Sequence, residues 1–529
     1  MATVMLKGAA KLVCQEAVRG QIGKRMPGRS GSIATEAPPV ASLGKPDSPR
    51  MSIFGPAETA EFDLATVNGT ATASSVDLGA RTPGDTHGLT QRLSHASLWA
   101  FFIYMAGAAL TFVTQVAIAR MVGPASYGIY AYVFAWIALL SYGATLGFHV
   151  AVMRFVPTYL TTKQPPMALG FIMLGAKACI AAALVISLVG ILLVTQEADE
   201  LDPELAGSLL IGMATLPLVT VYLAGGGLVR AFEALISALL PERIVRDGLV
   251  LTLLCGAAYL TSWRLDAVAV MWMLFIASAV AASITAFASW RHWPVELNFG
   301  KPAYAFREWW PSLLPIVIMV FIDTLMNRTA VMLLGWDGYV KDAGIFSAAA
   351  NMAMLIALPR VAVSSAFAPT IARLSARNDV ARLQTVFAKA TILSCAGGLA
   401  LAMPLLMFTE TIFHLLGSGF SSGVELTRIL VVGQLIGVAA GPQQQLLTMA
   451  GHERAAATLM AVSAVINILG CIAGIALDGV VGAAISTSAM LIFWSISQAV
   501  YIHVRLGILP GVGWTLKARV RSEQSDKVL

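Results

Sequence analysis

Within an apolar stretch running from Ser312 to Gly335, three side chains could hold a polar ligand: Asp323, Asn327 and Arg328. A guanidinium offers a planar fork of donors that matches phosphate oxygens, which makes Arg328 the first candidate for an anion. A carboxylate at Asp323 could pair across helices, titrate or bind a cation. On a helix, Asp323 and Asn327 lie four apart and share a face. Arg328 lies five positions from Asp323, about 140° around, so the two do not face together. A charge in lipid costs about 2.5–3.5 kcal/mol at a helix centre, so such groups face a cavity or a partner, or snorkel to the interface. Further candidates are Gln115, Arg360 beside Pro359, and Arg154 with His149; Lys177 snorkels equally well.

These side chains need helices to carry them, and composition says that lipid surrounds those helices. The 529 residues are 57% hydrophobic and 12% charged, about half the charge of a soluble domain, which is roughly 25%. Mean hydropathy is +0.76. From Ser97 onward, apolar stretches of membrane-spanning length recur, and twelve spans are predicted, the fifth over 245–262. The predicted class is an all-α polytopic membrane protein. The expected domains are a disordered cytoplasmic tail (1–92), two six-helix bundles (93–300 and 301–508) and a cytoplasmic C-terminal tail (509–529). The first of these is rich in Gly, Ala, Ser, Thr and Pro and cannot bury enough surface to offset ordering entropy.

Loop charge sets the orientation. With the N-terminus inside, the inner loops hold Arg154 and Lys163; Arg230, Arg243 and Arg246; Arg291, Lys301 and Arg307; Arg373, Arg377, Arg382 and Lys389; and Arg454. The outer loops hold few cations and the acidic run at 197–204. Both termini are therefore expected in the cytoplasm, and the net charge of +6 belongs to cytoplasmic loops rather than to a nucleic-acid site. The five cysteines, Cys14, Cys179, Cys255, Cys395 and Cys471, form no CxxC pair, which suggests neither a disulfide framework nor a zinc site.

The two halves resemble each other. Gly128-Ile-Tyr opens the second span and Gly344-Ile-Phe the eighth, while Phe155-Val-Pro-Thr and Phe367-Ala-Pro-Thr close them. Both copies run the same way through the membrane, a parallel repeat with its site between the halves. Aligning Gly123 with Gly335 places a four-residue insertion in the outer loop and sets Gln115 opposite Asn327, two amides suited to sugar hydroxyls or to an interhelical bond.

Motifs for chemistry are missing. No P-loop occurs, His452-Glu453-Arg454 lacks the second histidine of a zinc-protease helix, and no nucleophile triad can be argued. A multi-pass glycosyltransferase would carry acids in its first outer loop, and Met121 to Tyr127 has none. The chain is expected to be a transporter, not an enzyme, with no cofactor and no metal.

Several segments resemble the polysaccharide transporter (Wzx-type) flippases, relatives of multidrug and toxin extruders and lipid II flippases. They are FVTQVAIARMVGPASYGIYAYVFAWIALLSYGATLGFHVAVMRFVPTYL, LLPERIVRDGLVL, NRTAVMLLG with AGIFSAAANMAMLI, and MAGHERAAA with GVVGAAISTSAMLIFW. The resemblance covers about 95 to 508. It implies two six-helix bundles around a central cavity, alternating access, and an undecaprenyl-diphosphate-linked oligosaccharide moved from the cytoplasmic to the periplasmic leaflet of the bacterial inner membrane, for exopolysaccharide, O-antigen or capsule. The expected partners are that lipid-linked sugar, membrane lipids, and the polymerase and glycosyltransferases of the same pathway. A monomer is expected. The resemblance leaves the coupling ion, Na+ or H+, open, because many relatives carry an acid where Ala330 stands here. The alternatives are a multidrug/cation antiporter, a lipid II flippase and a glycosyltransferase.

Overall fold

A computed structural model describes residues 83–260, 265–299, 301–377 and 379–511. The expectations for 1–82 and 512–529 lie outside the described residues. The described residues are predominantly helical, as an apolar sequence in lipid must be, since hydrocarbon offers no partner for backbone N–H and C=O groups.

The first half comprises α1 (Pro83–Ala144), α2 (Phe148–Thr161), α3 (Pro165–Gln196), α4 (Pro203–Ala231), α5 (Leu235–Leu240), a π turn (Pro241–Val245), α6 (Arg246–Leu260) and α7 (Ala267–Arg291). The second comprises α8 (Phe306–Trp336), α9 (Val340–Met354), α10 (Leu358–Ala376), α11 (Val380–Met407), α12 (Thr409–Leu416), α13 (Gly423–Ala439), α14 (Gln443–Met449) and α15 (Glu453–Leu506). Among the described residues, nine helical stretches are long and apolar enough to cross a membrane. Two of these are double. The 62 residues of α1 would reach about 93 Å if straight, three times a bilayer core of about 30 Å. The chain instead reverses at Gly123, whose φ of 79° suits a residue without Cβ. α15 reverses the same way at Asp478 and Gly479. The doubled stretches bring the count to eleven. The continuous segment from Leu235 to Leu260 is the twelfth.

That twelfth segment corrects the expected fifth span. The helix begins at Leu235 rather than at 245, and Arg230, Arg243 and Arg246 stand in helices rather than in an inner loop. The charges of PERIVRD resemble a loop in sequence, but a π turn carries them through the protein interior.

The repeat is visible at one contact. Gly128 and Gly344 meet, and a Cβ added to Gly344 would lie 2.6 Å from the Gly128 Cα. Equivalent residues meet when a two-fold axis passes between the halves. The glycine that matches Gly123 at the reversal is Gly338 (φ 85°), not Gly335. The insertion is also placed differently from the sequence expectation. Between its Gly-Ile-aromatic start and its Phe-x-Pro-Thr end, the second span is four residues longer than the eighth. The extra length falls in the span itself, at the break between α1 and α2, where Leu146 (φ 47°) and Gly147 (φ 69°) leave the helix. A leucine in this region costs about 1–2 kcal/mol, so the bend is held by packing: Gly147 lies against Ile316 and Val317 of α8.

The start of α8 is built into the first half. Trp309, 1% exposed, donates its indole N–H to Tyr159 Oη at 2.8 Å and meets Phe171 edge-on. The Ala303 N–H donates to the Pro166 carbonyl at 2.9 Å. Gly170 makes this docking possible, because a Cβ there would overlap the Ala303 carbonyl. Gly170→Val is therefore expected to lower stability by about 1–3 kcal/mol, the usual effect of overpacking, and to lower the thermal midpoint of the detergent-purified protein. An unchanged midpoint would show that the linker is not anchored there.

Candidate functional site

The end of the molecule bearing the Gly123 and Gly338 reversals is here called the turn face; the opposite end, bearing the 292–305 connection between the halves, is the linker face. At the turn face the halves close on each other. Besides the Gly128–Gly344 contact, Phe420 is fully buried against Tyr127 (ring centroids 5.9 Å), Gly419 packs on Pro124, and Arg120 donates to the Leu415 carbonyl at 3.1 Å. Toward the linker face, α10 packs instead against α11 and α14 of its own half.

Beneath the seal lies an aromatic and amide cluster. Tyr127 Oη donates to Gln115 Oε1 at 3.0 Å, and Gln115 Nε2 donates to Tyr130 Oη at 3.3 Å. Tyr130 stacks on Phe134 at 5.9 Å. Arg328 reaches across from α8 to place its guanidinium carbon 5.4 Å from the centre of the Phe134 ring. Arg328 thus faces the other half of the protein. A cation over an aromatic face gains about 0.5–2 kcal/mol, and among the described residues no hydrogen bond or ion pair occupies the Arg328 N–H groups.

Gln115 and Asn327 do not pair as the alignment predicted. The Gln115 amide is taken by two tyrosines, and Asn327 Nδ2 donates to the Asp323 carbonyl at 2.8 Å within its own helix. The corrected match of the reversals moves Gln115 out of register with Asn327. Asp323 is exposed, and among the described residues its carboxylate has no ion pair. Arg154 lies in α2 with its guanidinium 5.7 Å from the Phe155 ring. Arg360 opens α10 just past a 3-10 turn (Leu355–Ala357), and its carbonyl accepts from Ser364 at 2.7 Å. No hydrogen bond or ion pair joins Arg360 to Arg328 among the described residues.

A second cluster was hidden in the sequence. Arg246 pairs with Asp247 at 2.6 Å and donates to Tyr222 Oη at 3.1 Å. Asp247 accepts from the Thr111 hydroxyl, and its carbonyl accepts from Thr114 at 3.2 Å. Arg243 lies 3.5 Å from Glu242 and 4.8 Å from the centre of the Tyr104 ring. Arg230, His149, Arg243 and Arg246 all lie within electrostatic range of Glu242. Arg246 and the tyrosines 127, 130 and 142 lie within range of Arg328. Arg230, Arg243, Arg246 and Arg328 face two carboxylates, Glu242 and Asp247, so two positive charges are left over. The signal in the sequence was the two arginines and two acids of PERIVRD, bracketed by apolar runs, on a π turn, an element that often marks a functional site.

A family model described as "Polysaccharide biosynthesis protein" matches residues 95–375, and a MatE model matches 315–473. No curated protein sequence matches. Among solved structures, an inward-facing multidrug resistance MATE transporter of the MOP superfamily shares 13% identity, with 77% of this chain and 98% of that one covered at a TM-score of 0.61. The lipid II flippase MurJ in an inward closed conformation shares 13%, covering 77% and 87% at 0.57. A MOP superfamily transporter from Pyrococcus furiosus, whose binding pocket is described as of reverse polarity, shares 13%, covering 78% and 94% at 0.55. Likeness at this identity concerns the fold, and it agrees with the two-bundle architecture that the sequence resemblance implied.

Proposed function

The chain belongs to the polysaccharide biosynthesis protein family, a branch of the MOP superfamily of membrane transporters, and on that premise we propose that it flips an undecaprenyl-diphosphate-linked oligosaccharide from the cytoplasmic to the periplasmic leaflet of the bacterial inner membrane. The observation that carries this reading is the excess of positive charge where Arg328, reaching across from the second half, comes within electrostatic range of the arginine cluster of the first half. A lipid-linked diphosphate brings about two negative charges and must exchange its water for fixed donors. Arg328 supplies one, and Arg230, which has no ion pair among the described residues, leaves the neighbouring cluster net positive after Arg246 and Arg243 are paired with Asp247 and Glu242. The tyrosines and Gln115 offer hydroxyl, amide and ring surfaces to the first sugars, and Asn327 and Asp323 offer further polar contacts on α8. Arg360 and Arg154, nearer the linker face, would meet the headgroup earlier on its path.

The turn-face seal supports alternating access. With the turn face closed, cargo enters from the linker face, and its release requires Gly128, Gly344 and Phe420 to part. Loop charge sets the linker face in the cytoplasm. A cysteine introduced at Asp199 is expected to react with an impermeant thiol reagent in intact cells, and one at Arg377 to be protected. The opposite pattern would reverse the orientation.

The MatE match favours a second reading, export of an organic cation in exchange for Na+ or H+. Such cargo needs an acidic cavity; here Glu242 and Asp247 are held by arginines, which leaves Asp323 as the one candidate carboxylate without an ion pair among the described residues. Transport assays separate the two: a flippase restores surface polymer in a deletion strain and leaves drug tolerance unchanged, whereas an extruder does the reverse.

A further inference from the structure

We propose a binding site for an anionic phospholipid at the linker face, separate from the interface between the halves. An open surface depression of about 650 Å³ is lined by Ser289, Trp290, Arg291, Trp293 and Asn298, where α7 ends and the connection between the halves begins; Trp290, Arg291 and Asn298 are exposed. Its walls are fixed. Leu297, 2% exposed, anchors the 3-10 turn Val295–Phe299; Trp293 lies edge-on to Phe232 at 5.9 Å; and His292 meets the Ser237 hydroxyl at 3.3 Å.

The lining is a set of donors. Arg291, the two indole N–H groups and the Asn298 amide have no hydrogen-bond partner among the described residues, while the Ser289 hydroxyl donates to the Thr285 carbonyl at 2.9 Å. Among the described residues no carboxylate lines the depression; the nearest in sequence is Glu296, which is exposed. The half-charge of the α7 C-terminus is negative, and the full charge of Arg291 outweighs it. Unpartnered donors around one cation call for a phosphate, and the depth of the site says that a lipid carries it. Trp290 is 71% exposed and Phe287 60%, and the two pair at 5.8 Å on the outer surface of the helix. Exposed tryptophans are enriched at the boundary between headgroups and acyl chains. The acyl chains would lie along Phe287 and Trp290, with the phosphate in the depression. A zwitterionic headgroup would set its ammonium against Arg291, which favours a net anion. Bound there, the lipid would brace the connection between the halves.

The test is native mass spectrometry of the full purified chain, titrated with phosphatidylglycerol, phosphatidylcholine or inorganic phosphate. The wild type is expected to retain one phosphatidylglycerol. Arg291→Gln is expected to weaken retention about tenfold, as loss of one charge-assisted hydrogen bond would. Asn298→Leu, at an exposed position, is the second variant and is expected to weaken it in the same direction should Arg291→Gln fail to fold. Equal retention of phosphatidylcholine, undiminished retention in the variants, or displacement of the lipid by inorganic phosphate would each overturn the proposal, the last by making this a site for a soluble anion.

Discussion

Arg328→Ala is expected to reduce surface polymer in a complemented deletion strain by about 10- to 100-fold, with membrane abundance unchanged. The magnitude is that of a hydrogen-bonded charge contact, about 1.5–3 kcal/mol. Arg328→Lys keeps the charge but loses the planar fork and the stacking on Phe134, so it should fall between the wild type and alanine. The contact with Phe134 makes this prediction sharper than the sequence allowed. A side chain that snorkelled to the membrane surface could be removed without consequence. One that reaches across to the opposite half is available to whatever passes between the halves. Full polymer from Arg328→Ala at normal abundance would transfer the role to Arg246, Arg360 or Arg154.

A disulfide between positions 124 and 419 is expected to stop transport. A Cβ built on Gly419 lies 3.8 Å from the Pro124 Cβ, the mean separation for a disulfide. The double variant Pro124→Cys/Gly419→Cys would tie the α12–α13 connection of the second half to the first reversal of the first half. Under oxidation, transport should fall to background; a reductant should restore it. Each single variant, which retains the native cysteines, should be insensitive to oxidant. This result follows because the connection crosses the boundary between the halves. Arg120 holds it through Leu415, and Arg428 holds Glu410 at 2.9 Å at its base. The matching connection in the first half, between α3 and α4, is the short acidic stretch 197–202. The cross-linked protein transporting at the wild-type rate would show that the turn face need not open.

Much of this fold was legible because lipid imposes simple rules. Span length, the repeated Gly-Ile-aromatic starts and the reversal at Gly123 are all local features. Arg328 also stood out, since an isolated guanidinium in an apolar helix needs a reason. What stayed hidden depends on contacts distant in sequence. PERIVRD has a loop-like composition, and only the neighbours Thr111, Tyr222 and Tyr104 reveal that it runs through the interior. The Gln115–Asn327 pairing failed because several glycines near each reversal could be aligned, and φ, which sequence does not display, distinguishes Gly338 from Gly335. The docking of Trp309 into the first half has no sequence signature beyond the residue itself.

A lipid-linked diphosphate oligosaccharide is proposed to cross through the interface between the halves. The purified chain in proteoliposomes, loaded on one leaflet with a fluorescent undecaprenyl-diphosphate oligosaccharide, tests it directly through quenching by a membrane-impermeant reductant. Protein-dependent exchange between leaflets, lost in Arg328→Ala and in the oxidised 124–419 pair, is the predicted result. Exchange no faster than in protein-free vesicles, in the presence of either Na+ or a proton gradient, would contradict it.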